Sequence, residues 1–271
     1  MKRLTVTGVT YLKGHRRHPQ AIDRSHLVFS RTGVSVRRSV RGLFVVQWST
    51  LTSLDVFSVG KAMRDWRLGG VAQFVVRRTP FPDAVLTRTS RDDASLLVLE
   101  DARSVYWFLL PARSVAELRA RLASWVARVA GGDGYADANP VGSPEAAACQ
   151  ALSVVRAAAL GREPVTDRNA LAYRLSVGND HLTRGNVLEA VVLIEGLVKS
   201  STEAFGATDE DTIAVRNNLG YAKALAGQRL EAIRLYWGIL DDLAEAGMRR
   251  NPTGTYARQH LAKLHNPGWR P

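Results

Sequence analysis

Cysteine is almost missing from this chain: Cys149 stands alone among 271 residues. No disulfide can therefore close within it, and such usage fits a reducing compartment. Long apolar runs are missing too. No stretch of eighteen apolar residues occurs, and the start, Met1-Lys-Arg-Leu-Thr-Val-Thr7, alternates polar and apolar where a signal peptide would carry an apolar core, so a cytoplasmic protein without membrane-spanning helices is expected. There is no phosphate-cradling glycine loop, no nucleophile-elbow sequence and no His-Glu-x-x-His helix. The expectation is a non-enzyme that uses no cofactor and no metal. His15 and His18 lack a cysteine or carboxylate at fitting spacing, so they read as surface histidines rather than a zinc pair. Asp133, Asp137 and Asn139 lack the spacing and distal glutamate of a calcium loop.

Acidic residues are scarce in one half only. Residues 1–130 carry 22 Lys/Arg against 9 Asp/Glu, whereas residues 131–271 carry 15 against 16, so the net charge of +12 belongs to the first half. That field would attract an acidic protein surface, anionic lipid or nucleic acid, and charge alone does not choose among them. Two basic groups stand out: Lys13, Arg16 and Arg17 in one connection, and Arg37, Arg38 and Arg41 in the next. Both are candidate anion-binding residues, with a solvated basic loop as the plain alternative.

Short apolar or alternating runs mark strands at 4–12, 27–29, 34–36, 44–46, 51–56, 71–76, 95–100 and 105–110. Arg31-Thr-Gly33 reads as a tight hairpin in which Gly33 supplies a positive φ, Thr79-Pro-Phe-Pro82 ends a strand, and Asp101-Ala-Arg103 is a turn. Ser114 and Glu117 open a helix as cap and capping box, and Val115, Leu118, Leu122, Trp125 and Val129 form its apolar stripe. The glycine- and proline-dense stretch 131–143 is a linker. An alanine-rich helix then runs from Pro144 to about Leu160, where Gly161 ends it.

The second half repeats itself at a spacing of forty-two residues. The run from Gly185 to Val198 returns from Gly227 to Leu240, so that Gly185, Leu188, Glu189, Ala190, Leu193 and Gly196 meet identical partners. A period of this length predicts stacked helical hairpins, each first helix ending at Gly185 or Gly227. A last first-helix continues the register from about Thr253 to His265 through Arg258 and Leu261. Such stacks leave a long groove, which makes binding the default expectation.

The small and apolar positions Val177, Gly178, Leu219 and Gly220, with Ala190 and Ala232, resemble the tetratricopeptide repeat. The run from Phe205 to Gly220 is similar to the forty-two-residue repeats of kinesin light chains. In the first half, the strands, the Gln47-Trp48-Ser-Thr-Leu51 element and the closing helix resemble the bacterial pleckstrin-homology-like domain. These resemblances imply an α+β multidomain chain: a small β-barrel or sandwich with a closing helix over 1–130, a linker over 131–143, and a helical repeat array over 144–271. They imply an adaptor or scaffold that binds a protein or peptide partner on the concave face of the repeats, with self-association of the chain as a further expectation. Asn217 and Asn218 match the family's peptide-binding asparagines, although the preceding repeat has Leu175 and Ser176 there. Asn179 and Tyr221 lie one turn further on. Arg174, Arg216 and Arg258 recur at the period and are candidate partners for acidic groups, the plain alternative being a solvated helix face with local ion pairs.

Overall fold

A computed structural model describes residues 4–18, 20–30, 32–59, 94–111, 115–118, 120 and 144–266. The chain divides into two compact units, Met1–Arg156 and Ala157–Pro271. It is an α+β protein, with an antiparallel sheet followed by helices. The expected strand at 71–76, the linker at 131–143 and most of the closing helix lie outside the described residues. Of that helix, residues 115–118 and 120 are helical, with Val115 and Leu118 of its stripe buried.

The first unit holds β1 (Leu4–Lys13), β2 (Ile22–Phe29), β3 (Gly33–Arg38), β4 (Arg41–Gln47), β5 (Leu51–Ser58), β6 (Ala94–Asp101) and β7 (Val105–Pro111). They form one sheet in the order β4-β3-β2-β1-β7-β6-β5. Alternation explains the β3 and β4 faces: Val34, Val36, Phe44 and Val46 are buried, while Val45 and Gln47 face outward. β6 and β7 carry near-continuous apolar runs and are buried on both faces. Trp48 and Trp107 are fully buried, and the Trp48 indole N–H donates to the Ser30 carbonyl at 2.9 Å. Among the described residues the seven strands form one sheet whose end strands β4 and β5 are not paired with each other; the expected closure into a barrel or sandwich is not seen among them.

Gly33 is needed for a reason other than the one expected. Its φ is not positive; a Cβ there would lie 2.2 Å from the Val46 carbonyl oxygen, so only glycine lets β4 approach. Among the described residues of this unit, positive φ falls on Gly8, Gly14, Arg24 and Ser39 instead.

The helices are α1 (Pro144–Arg162), α2 (Arg168–Thr183), α3 (Val187–Phe205), α4 (Glu210–Leu225), α5 (Arg229–Glu245) and α6 (Pro252–His265). The boundary between the compact units lies within α1. Its earlier part belongs with the sheet: the Cys149 thiol donates to the Leu54 carbonyl at 3.5 Å and the Arg156 guanidinium donates to the Leu51 carbonyl. Gly161 does not end the helix, which runs on to Arg162.

From α2 to α6 each helix packs on its neighbour in sequence, and α4 also packs on α6. Residues forty-two apart take the same local geometry at several points. Gly185 and Gly227 both have φ 77°, and Asn186 and Gln228 donate backbone N–H bonds to the His181 and Lys223 carbonyls, closing both helix ends alike. Gly178 and Gly220 lie under Ile194 and Tyr236, which approach so closely that a Cβ would meet them at 2.9 Å and 2.6 Å. Tyr236, Ile239, Ala257 and Leu261 belong to the core under α4, α5 and α6.

Candidate functional site

The helices that carry the candidate residues start at residues chosen for capping. Asp167, Asp209 and Asn251 stand forty-two apart and cap α2, α4 and α6, their side chains accepting backbone N–H bonds from Ala170, from Asp211 and Thr212, and from Thr253. The Asp209 carboxyl is held below its ordinary value, first by its hydrogen bond from Arg168. With both ends defined, α4 and α6 present fixed faces to the space between them.

That space is an open groove of about 690 Å³. Asn217, Asn218 and Tyr221 of α4 form one wall, and Thr253, Tyr256 and His260 of α6 the other. Asn217 ties the walls together, its amide donating to the Thr253 carbonyl at 3.2 Å. Its Oδ1 is buried with no hydrogen-bond partner among the described residues, an uncommon state for a native polar atom. Asn218 turns its amide back on the Ala214 carbonyl, 2.9 Å away. Below, the buried Tyr236 stacks on His260, with ring centroids 5.4 Å apart and planes within 4°. Burial drives the Tyr236 phenol well above its ordinary value, with Tyr221 adding to the shift. The His260 imidazole is pushed down, first by burial and then by the Lys263 charge, so a neutral ring is favoured. Tyr221 and Tyr256 remain 38% and 59% exposed, large apolar faces open to a ligand.

Of the other α-helical candidates, Asn179 is half-buried on α2 and its backbone carbonyl accepts from Thr183. The three arginines do not form a uniform column. Arg174 donates to the Glu163 and Pro164 carbonyls at 2.6 Å and 3.1 Å, and Arg216 donates to the Ala207 carbonyl at 3.2 Å while pairing with Asp242 at 2.6 Å. Both hold the segment that precedes their own helix. Arg258 is exposed and, among the described residues, donates to the Thr255 hydroxyl, 3.2 Å away. Thr253, Tyr256, His260 and Lys263 are groove residues that the sequence reading passed over. His260 and Lys263 lie forty-two residues after Asn218 and Tyr221, the signal that would have found them.

The basic candidates gather at one end of the sheet. Antiparallel register puts the β1–β2, β3–β4 and β6–β7 turns together there, since Tyr11 pairs with Ile22, Ser25 with Arg38, and Lys13 with Trp107. Arg16, Arg17, Arg38 and Arg41 are exposed, as are Arg24 and Arg103, which the sequence did not single out. Arg37 is half-buried opposite His26, its Nε without a hydrogen-bond partner among the described residues. At the apex of the β3–β4 turn Val40 is 92% exposed. The first connection is no loose loop. The Tyr11 hydroxyl donates to the His18 carbonyl at 2.8 Å and accepts from the His15 N–H at 2.6 Å, while the His15 ring stacks on Phe44 with centroids 4.3 Å apart. Among the described residues no three side chains are grouped to hold a metal ion. None of their helices is long and apolar enough to cross a membrane.

The fold thus defines an α+β chain with a seven-stranded antiparallel sheet ahead of a helical region. No protein-family model, no curated protein and no solved structure matches it. The assignments to the tetratricopeptide and pleckstrin-homology-like families are corrected accordingly, because no family match supports either one.

Proposed function

We propose that this chain is a non-enzymatic cytoplasmic binding protein whose α4–α6 groove holds a polypeptide segment of a partner. In this reading α2 to α6 act as a two-helix repeat, and the arginine-rich sheet end supplies a second contact or self-association. The observation that carries it is the composition of the groove walls: the exposed Tyr221 and Tyr256 beside the side-chain amides of Asn217 and Asn218. Aromatic faces offer contact area at low entropy cost, and side-chain amides can both donate to and accept from a polypeptide backbone.

Site-specific photo-crosslinking in the native cell tests this. A benzophenone side chain at Tyr256 should trap a polypeptide, and Asn217→Ala with Tyr221→Ala should abolish the adduct. The same group at Trp237, exposed on α5 outside the groove lining, should trap far less. Equal trapping at both positions, or none at Tyr256, would contradict the proposal.

A second reading assigns the sheet end to an anionic lipid surface. It is favoured by Val40, an exposed apolar residue flanked by Arg38 and Arg41 and set among further exposed arginines. Arginines would meet headgroups while Val40 enters the interface. Flotation with phosphatidylserine vesicles should fall about fivefold or more in Arg38→Glu with Arg41→Glu, each basic residue near such a surface contributing about 1 kcal/mol. Unchanged flotation, or a salt-sensitive gel shift with nucleic acid instead, would overturn that reading.

A further inference from the structure

The two ends of the α4–α6 groove differ in charge. Glu210 lines one end, in the first turn of α4, and is exposed with no ion pair among the described residues. Asp211 beside it is already bonded to Arg168. Lys263 lines the other end, in the last turn of α6, and it too is exposed with no ion pair among the described residues. Between them the walls are uncharged amides, hydroxyls and rings: Asn217, Asn218, Tyr221, Thr253 and Tyr256, with His260 favoured neutral. A strip with opposite, unspent charges at its ends and none between selects its occupant by charge placement.

Resting on the reading of this groove as a polypeptide site, we infer that its occupant is an extended segment with a Lys or Arg side chain near Glu210 and a carboxylate near Lys263. The walls set its length. From Glu210 to Tyr221 along α4, and from Thr253 to Lys263 along α6, the rise is about 15 Å each at 1.5 Å per residue. An extended chain advances about 3.4 Å per residue, so each wall accommodates roughly five residues. The charged pair of the occupant is therefore separated by about five to eight residues, the longer value applying where the helices are offset. Both charges are solvent-exposed, so their effect is modest and sensitive to salt. Aromatic and backbone contacts supply the rest.

Fluorescence anisotropy on the full-length protein with labelled decapeptides tests this directly. The probes share an inner sequence of serine, alanine and tyrosine; the outer pair is one Arg and one Glu in either order, two Arg, two Glu, or two Gln. At low salt the mixed-charge peptides should bind about fivefold or more tighter than the neutral one, a gain that fades in high salt. Glu210→Lys should transfer the preference to the peptide with two Glu, and Lys263→Glu to the peptide with two Arg. Both residues are exposed, and an unchanged melting temperature verifies each fold. Tight binding that ignores charge placement would overturn the inference and leave the groove reading standing. Mixed-charge peptides whose affinity does not respond to either substitution would also overturn it. No binding by any peptide would count against the groove reading itself.

Discussion

Gly161 of α1 and Gly196 of α3 meet backbone to backbone: a Cβ added to Gly196 would lie 2.5 Å from the Gly161 carbonyl carbon. A Cβ on Gly161 would in turn lie 2.3 Å from the Leu193 carbonyl oxygen, and the Ser200 hydroxyl donates to the Gly161 carbonyl at 3.3 Å. Neither close atom belongs to a flexible side chain, so the helices must separate to admit a methyl group. Gly196→Ala is expected to destabilise the protein by about 1–3 kcal/mol, the usual cost of overpacking. Gly238 occupies the same place in the sequence echo but would put a Cβ only 3.6 Å from an Arg216 nitrogen. Gly238→Ala should therefore be neutral or stabilising by up to about 1 kcal/mol, the helix-propensity gain. Denaturant unfolding of the two variants checks the contrast.

Lys223 links three helices. Its ammonium, in a residue 7% exposed, donates to Glu231 at 2.6 Å and pairs with Glu195 at 2.8 Å. Burial alone would lower its pKa, but the hydrogen bonds and charges of the two glutamates outweigh burial and hold it above the ordinary lysine value. Stability from a raised pKa is complete below the unfolded value and is lost as pH climbs through the folded one. Lys223→Met should cost about 1–2 kcal/mol at neutral pH, reduced from a fully buried pair because both glutamates are half-exposed. A double-mutant cycle with Glu231→Gln should show coupling at neutral pH that is lost as pH climbs through the raised lysine value.

His260 predicts a dependence of the opposite kind. Its pKa is depressed, first by burial against Tyr236 and then by Lys263, so the folded state favours the neutral ring. Above the ordinary histidine value of about 6.5 both states are neutral and nothing is lost. As pH falls below it, the unfolded chain takes up the proton first and stability declines until the folded pKa is reached. Unfolding free energies from pH 7.5 to 5 should fall more in the native protein than in His260→Gln. Equal slopes would show that His260 contributes nothing.

Tyr221 and Trp237 separate groove binding from surface stickiness, since both are exposed aromatics but only Tyr221 lines the groove. Tyr221→Ala should weaken peptide binding about fivefold to tenfold, consistent with an aromatic contact of about 1–1.5 kcal/mol. Trp237→Ala should leave it unchanged. Binding isotherms for the two variants, each with a native melting temperature, decide between the alternatives.

The strands were legible because alternation survives in β3 and β4, and two helix ends because Gly185 and Gly227 announce themselves locally; the caps Asp167, Asp209 and Asn251 came only from the structure. What escaped was tertiary. Arg174 and Arg216 look like an open column in sequence, yet their guanidinium groups are occupied by carbonyls of the preceding segment, which no side-chain pattern records. Gly33 was read for its φ when the constraint is the Val46 carbonyl opposite. Half of the groove was visible through Asn217, Asn218 and Tyr221. Its other wall was missed because the forty-two-residue spacing was not carried from Asn218 and Tyr221 on to His260 and Lys263, and Tyr236 and His260 become neighbours only once α5 and α6 have packed. The basic residues were visible, but their assembly at one sheet end depends on the register of three hairpins.

Hydrogen exchange of the full-length protein, with and without a saturating mixed-charge peptide, tests the central claim most directly. The account predicts slowed exchange concentrated in α4 and α6, residues 210–225 and 252–265, with the sheet unchanged. Protection confined to the sheet, or spread evenly over the helices without favouring α4 and α6, would contradict it.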